Sequence, residues 1–485
     1  MSSLKQKGFK AFIWDFLGQI SNQLISFVIS IVLARILNPS DFGQIAMINV
    51  IIGFSSVFMD AGLGVALIQK KEINENEYGT VFFFNITTGL ILALLLFFSS
   101  NLIASFYHKQ ELVSIAKSMS LLFIFNSFGN VIRVKLRKEF NNKVLVKSRL
   151  FSAFICGIVG ITLAFTGFGV WSLVLQGLLN PVLVNLYIFT SVKWRPKLVF
   201  NFESLKNLWG FGFKMFLSGI LDGIFVNLDS VVIGRLFSSV KLGHYYRSRS
   251  LNSLIIQYSS SSLMQVLFPL LATIQDDVER VKHVVRKSVH LLSFASFFLV
   301  SFFYITGSDI IIILFGSKWE PAIPYFKIII LSAYGYPFSS LLVNILSSTG
   351  NSKAFLQLEI VTKASLALNF IIGFYYGIEG YLYGYAVWTV FATWASILFA
   401  AKQLRVSQSF FIKNIYPYVL ICIISILTFN IMNVFIIKNI YIHVIISGFL
   451  GVILFFVQAY LFKVEGLEII MHELLSLKKK KNISL

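Results

Sequence analysis

The sequence predicts an all-α integral membrane protein of about fourteen spanning helices, built as two parallel six-helix repeats around a central cavity with two extra helices at the C-terminal end. Three observations predict it. The chain is 57% hydrophobic and 13% charged, with a mean hydropathy of +0.80, against roughly 45–50% and 25% in an average soluble protein. Apolar runs of about twenty residues recur between short polar stretches, the length a helix needs to cross the hydrocarbon while satisfying its own backbone hydrogen bonds. A β-barrel would need alternating segments of about ten residues instead. Third, the chain echoes itself: Ile31 to Gly43 reads IVLARILNPSDFG and Val231 to Gly243 reads VVIGRLFSSVKLG, an offset of 231 − 31 = 200, with Arg35 over Arg235 and Gly43 over Gly243. Weaker echoes follow, Ile68 and Gln69 with Ile274 and Gln275, and Gly169 with Gly380. Duplication in so apolar a chain marks a secondary transporter whose halves move about a shared site.

The expected helices span approximately 11–36, 42–69, 79–106, 111–135, 144–167, 169–192, 211–237, 241–271, 284–307, 322–347, 353–376, 379–402, 415–436 and 440–462. Helices one to six repeat as seven to twelve; six is even, so the repeats are parallel. The domain reading is an N-terminal bundle 1–193, a linker 194–210, a C-terminal bundle 211–403, two added helices in 404–463 and a basic tail 464–485. Trp194 to Trp209 and Asp309 to Pro324 read as stretches lying along the interface. Trp14, Trp171, Trp194 and Trp319 fall near span ends, as interfacial tryptophans do.

The net charge is +20, and its distribution decides its meaning. Lys5, Lys7 and Lys10 precede the first helix, seven basic residues from Arg133 to Arg149 follow the fourth, Arg280 to Lys287 follow the eighth, and Lys478 to Lys481 close the chain. Roughly three quarters of the basic residues fall on this one side, which places both termini in the cytoplasm and makes the span count even. The terminal lysines read as an anchor for anionic lipid, and no nucleic-acid partner is implied. The basic start precedes an apolar segment too long for a signal-peptide core, so the first helix is expected to be retained. Cys156 and Cys422 lie inside apolar spans and give no basis for a disulfide.

Polar residues inside spans are the candidate site, because a charge at the bilayer centre costs at least about 2.5–3.5 kcal/mol. Asp15, Gln19, Asn22, Gln23, Ser26 and Ser30 recur every three to four residues along helix one, and helix seven carries Lys214, Ser218, Asp222 and Asp229. Such a stripe either lines a wet cavity or glues helices together. Arg247 and Arg249, two apart on helix eight, cannot share a face; one points inward to an anionic head group or snorkels to the interface. Arg35 and Arg235 end helices one and seven and are candidates for gating or anchoring. Glu359 precedes Lys363 by four residues, the favourable order for an internal ion pair, while Asp60, before Gly62 and Gly64, marks either a helix irregularity or an ion-coupling site. Asp222, Asp229 and Glu359 complete the ion-coupling candidates; Lys214 and Lys363 complete the cationic ones. Six scattered histidines, two distant cysteines and no phosphate loop or nucleophile elbow leave no constellation for catalysis, a metal or a cofactor.

Five stretches, LARILNPSDFG (Leu33 to Gly43), MDAGLGVALIQKKE (Met59 to Glu72), LGHYYRSRSL (Leu242 to Leu251), LFPLLATIQDD (Leu267 to Asp277) and LFGSKWEPA (Leu314 to Ala322), carry a resemblance that runs over essentially the whole chain. The sequence resembles the polysaccharide-flippase branch, the Wzx type, of the multidrug/oligosaccharidyl-lipid/polysaccharide exporter superfamily. That resemblance implies two six-helix bundles forming a V-shaped cavity plus two peripheral helices, in a bacterial inner-membrane protein. It implies transport of undecaprenyl-pyrophosphate-linked oligosaccharide, a surface-polysaccharide repeat unit, from the cytoplasmic to the periplasmic leaflet by alternating access. Arg247, Arg249, Lys214 and Lys363 are the cations available for its lumen, beside Gln19 and Asn22. The partners it implies are the lipid-linked substrate, membrane lipids and a polysaccharide polymerase and chain-length regulator, with the protein itself a monomer. The alternatives are a drug/cation antiporter of the same superfamily, for which Asp222 and Asp229 speak, a lipid II flippase, and a membrane-embedded polymerase or ligase, which would call for a large periplasmic loop.

Overall fold

The structure, a computed structural model, describes every residue except 1, 71, 254–266, 268–273, 275–276, 349–351, 433–438 and 473–485. Among the described residues all regular structure is helical. The chain divides into two units, Met1–Gly243 and His244–Leu485.

The first unit holds α1 (Ser2–Ile36), α2 (Pro39–Asp60), α3 (Leu63–Gln69), α4 (Glu75–Phe98), α5 (Ser100–Tyr107), α6 (Leu112–Met119), α7 (Leu121–Lys138), α8 (Asn142–Phe165), α9 (Val170–Ser191), α10 (Phe202–Leu236) and the start of α11 (239–253). The second holds the rest of α11, α12 (Val278–Phe315), a 3-10 turn at Ser317–Trp319, α13 (Ala322–Leu331), α14 (Gly335–Ser348), α15 (Ser352–Leu404), α16 (Ser409–Met432), α17 (Ile440–Leu461) and α18 (465–472).

Local chemistry explains the helix ends. At the start of α4, Asn74 Oδ1 accepts from the Glu77 amide at 2.8 Å and Glu77 Oε2 accepts from the Asn74 amide at 3.2 Å, a reciprocal cap. α2 opens on Pro39, whose missing amide costs nothing at a first helical position. In the first unit Leu63, Leu67, Tyr78, Val81, Val131 and Leu208 form one buried cluster that joins α3, α4, α7 and α10. A second, of Ile132, Leu136, Leu145, Val184 and Ile188, joins α7, α8 and α9.

Eleven helices among the described residues are long and apolar enough to cross a membrane, so the protein is a multi-pass membrane protein. The expected fourteen are not matched one for one. The stretches 353–376 and 379–402 form one element, α15, which breaks at Gly377 (φ 77°, ψ −172°). The stretch 241–271 lies mostly outside the described residues, and 211–237 lies within α10, where several side chains do too.

The two segments expected along the interface are partly helical. Residues 194–201 carry no regular structure, and α10 begins at Phe202, where Asn201 Oδ1 accepts from the Ser204 amide at 2.9 Å. That cap lets the helix start before its apolar part. Farther along, α12 continues through Asp309 to Phe315, and Trp319 is fully buried at 0% exposure. Its ring lies 5.6 Å from that of His244 and 6.2 Å from that of Phe315, and aromatic area of this size is most stable when neighbouring rings enclose it.

Candidate functional site

The polar stripe of α1 divides along its length. Near its start Asp15 turns to α8, where it accepts from Asn142 Nδ2 at 2.6 Å and pairs with Arg149 Nη2 at 3.1 Å. Farther along, Gln19 is exposed and Asn22 half-buried. Asp60, the last residue of α2, answers for a helix break: its carboxylate accepts from the Gly64 amide at 3.1 Å and from Asn130 Nδ2 of α7 at 2.9 Å. It therefore caps α3 across the left-handed residues Ala61 (φ 44°) and Gly62 (φ 72°).

Glu359 and Lys363 meet on α15 at 2.8 Å, the ion pair their spacing predicts. Arg247 is buried on α11, its guanidinium 4.7 Å from the Phe315 ring and 5.2 Å from the Trp319 ring. Cation–π contact with desolvated rings is worth about 2 kcal/mol and anchors this arginine among aromatics. Arg249 is half-buried, and Arg35 and Arg235 are exposed, the latter 5.4 Å from the Phe106 ring. Asp229 is buried, accepting from the Ser230 amide at 2.7 Å. The side chains of Lys214 and Asp222 lie outside the described residues.

The duplicated segment has a geometric counterpart within the first unit. A Cβ placed on Gly43 would lie 1.9 Å from the Ser239 carbonyl oxygen, and one placed on Gly243 would lie 1.9 Å from the Pro39 carbonyl oxygen. The first turns of α2 and α11 thus cross backbone to backbone at the equivalent glycines of the two repeats.

Sequence reasoning missed one cluster, which lies inside the first unit. Asn126, Asn130 and Arg133, spaced by four and three, share one face of α7. Arg133 Nη1 donates to Asn185 Oδ1 of α9 at 3.0 Å and Nη2 to the Asn126 carbonyl at 3.1 Å, while Asn185 Nδ2 donates to the Phe125 carbonyl at 2.5 Å. The helical period was the available signal; it was obscured by counting Arg133 with the cytoplasmic bases that follow. Elsewhere, a recess in the second unit lined by His283, Arg286, Glu465 and His472 contains none of these groups. No grouping of His, Cys, Asp and Glu able to hold a metal occurs among the described residues.

Many apolar helices that carry capped, paired and half-exposed polar groups at membrane depth define a polytopic membrane protein of transporter architecture. The chain belongs to the family described as polysaccharide biosynthesis protein, which matches residues 32–324. It is 25% identical over 355 residues to the lipopolysaccharide biosynthesis protein WzxC of Escherichia coli (strain K12), covering 70% of either chain. It is 26% identical over 319 residues to the succinoglycan biosynthesis transport protein ExoT of Rhizobium meliloti (strain 1021), covering 66% of this chain and 65% of that one. The match to the teichuronic acid biosynthesis protein TuaB of Bacillus subtilis (strain 168), 26% identical, spans 58% of that protein's length. Among solved structures it shares the fold of the lipid II flippase MurJ in an inward closed conformation, with a TM-score of 0.72 at 15% identity over 94% of this chain and 98% of that one. An inward-facing multidrug resistance MATE family transporter of the MOP superfamily matches with a TM-score of 0.62 at 16% identity, over 79% and 94%.

Proposed function

We propose that the chain is a flippase that carries undecaprenyl-pyrophosphate-linked oligosaccharide, the repeat unit of a surface polysaccharide, from the cytoplasmic to the periplasmic leaflet of a bacterial inner membrane. The observation that carries this reading is membership of a polysaccharide-biosynthesis family by a chain made chiefly of membrane-crossing helix. Relatives named as lipopolysaccharide biosynthesis and succinoglycan biosynthesis transport proteins support it, and the residues offer binding groups in place of a catalytic set. A charged, sugar-bearing head group cannot cross about 30 Å of hydrocarbon unaided, whereas its polyprenyl tail can remain in lipid. What such a substrate needs from a protein is a polar track at membrane depth.

In this reading the repeats 1–193 and 211–403, joined by 194–210, alternate between inward-open and outward-open states, with 404–463 peripheral, 464–485 a cytoplasmic tail and both termini cytoplasmic. Gln19, Asn22, Arg247, Arg249, Lys214 and Lys363 are the proposed substrate-side residues; Asp60, Asp222, Asp229 and Glu359 are the proposed ion-coupling residues. Arg35 and Arg235 flank the segments that gate the external side. Only a difference in substrate affinity between the two states can drive the cycle. The protein performs no covalent step; it works as a monomer and hands its product to a polymerase and chain-length regulator.

Deleting the gene in the producing cell tests this. The expected result is loss of the surface polymer with accumulation of polyprenyl-linked repeat units in the inner leaflet. Normal polymer with accumulated lipid II precursors would transfer the assignment to the lipid II alternative, and altered drug susceptibility alone to the antiporter.

A further inference from the structure

Arg133 sits within the apolar stretch Leu112–Lys138, and the way it is held points to a ligand. An arginine near the end of a spanning helix normally runs its stem toward the near interface, so that the guanidinium reaches water. Beyond Arg133, α7 continues to Arg137 and Lys138 at its basic end. Arg133 goes the other way, its Nη2 donating to the carbonyl of Asn126, seven residues back and deeper into the span, at 3.1 Å. Its Nη1 is fixed at 3.0 Å by Asn185 Oδ1, and Asn185 is itself tied to the Phe125 carbonyl at 2.5 Å. Room for this comes from Gly129, where a Cβ would lie 1.8 Å from Asn185 Oδ1 and 2.5 Å from Arg133 Nη1. The charge is drawn inward by a slot built for it.

The slot does not neutralise the charge. Both acceptors are neutral, and Arg133 forms no ion pair among the described residues. Asp60, the carboxylate that meets the same face of α7, is committed to the Gly64 amide and Asn130. Two of the five guanidinium N–H groups are used, which leaves three for a ligand, and the residue is half-buried. Helix glue alone would be served by a neutral side chain at far lower cost than a half-buried cation within a span. Asn130 and Asn126 lie on the same face, one and two turns away.

We propose that Arg133, positioned by Asn185, the Asn126 carbonyl and the space over Gly129, binds the phosphoryl oxygens of a lipid-linked pyrophosphate. The forked donors of arginine match phosphate geometry, and neutral acceptors orient the fork while leaving its charge for the ligand. The proposal rests on the flippase reading and specifies where that substrate's head group is held.

The test uses the full chain in detergent micelles, with binding followed by ligand-induced thermal stabilisation and by native mass spectrometry. The probes are undecaprenyl pyrophosphate, undecaprenol and inorganic pyrophosphate. Wild type is expected to bind the first and not the second, and Arg133→Gln to weaken that binding by about tenfold or more. Arg133→Lys, which keeps the charge but loses the fork, and Asn185→Ala, which frees the guanidinium, are expected to weaken it less. Should Arg133→Gln fail to fold, these two variants carry the test. Undecaprenyl pyrophosphate bound equally by wild type and all folded variants overturns the Arg133 assignment and leaves the flippase reading standing. Wild type that binds no undecaprenyl pyrophosphate overturns the flippase reading itself. Arg133-dependent binding of inorganic pyrophosphate as tight as that of the lipid form overturns the lipid-linked assignment.

Discussion

Replacing Gly43 with alanine probes the backbone crossing of α2 and α11. In an ordinary helix the change would stabilise, since alanine is favoured over glycine by about 0.5–1 kcal/mol. Here the new Cβ would sit 1.9 Å from the Ser239 carbonyl oxygen, while real Cβ contacts essentially never fall under 3.0 Å, so the two helix ends must part by at least 3.0 − 1.9 = 1.1 Å. The obstacle is backbone, which no rotamer can move aside. Overpacking of this kind costs about 1–3 kcal/mol, which outweighs the propensity gain. Gly243→Ala creates the mirror clash with the Pro39 carbonyl, also at 1.9 Å. A single separation relieves both clashes, so the double variant should cost about as much as the worse single variant, an interaction energy of about 1–2 kcal/mol relative to additivity. The assay is unfolding in mixed micelles of the wild type, both single variants and the double variant, each also scored for polymer export. Single variants within about 0.5 kcal/mol of wild type, or costs that simply add, would refute the reasoning.

Three further outcomes follow from paired groups in the second unit. Asp309 Oδ2 and His443 Nδ1 lie 2.6 Å apart between α12 and α17, so Asp309→Asn should weaken that junction by about 1–3 kcal/mol, seen as faster hydrogen exchange in α17 than in α12. The Tyr418 hydroxyl accepts from the Gly466 amide at 2.8 Å and meets His290 Nδ1 at 2.9 Å. Tyr418→Phe removes the acceptor of the Gly466 amide and the contact to His290, and should cost about 1–3 kcal/mol, with increased proteolysis after Phe462. Lys363→Gln removes the partner that Glu359 meets at 2.8 Å in α15 and should destabilise by up to about 2.5–3.5 kcal/mol, whereas Glu359→Gln with Lys363→Gln should unfold closer to wild type.

Fold class was legible because the bilayer constrains it: apolar length and helical backbone closure leave little choice once Glu75–Phe98 or Ile440–Leu461 is read. Local pairs were legible for the same reason that they are local. Glu359 and Lys363 are four residues apart, and the Asp60–Gly64 cap lies within one helical turn of its break. The duplication aligns Gly43 with Gly243, yet only the fold brings the two backbones into contact. What stayed hidden depends on distant partners. The burial of Trp319 requires α11, whose His244 and Arg247 pack against its ring, a contact that its position near a span end does not announce. Arg133 resembles any basic residue at a cytoplasmic helix end; its direction is set by Asn185, 52 positions away, and by a methyl-sized gap at Gly129. Charge patterning assigns a residue to a side of the membrane, but the direction of its side chain is decided by packing.

The most direct measurement is transbilayer movement in a reconstituted system. Purified protein is placed in liposomes carrying fluorescently labelled undecaprenyl-pyrophosphate oligosaccharide, and a membrane-impermeant reductant then quenches whatever label reaches the outer leaflet. The account predicts that label protected in protein-free vesicles becomes quenchable when the protein is present, with an ion gradient imposed to supply any driving force. Label that stays as protected as in protein-free vesicles, with the protein folded and every gradient tried, would contradict it.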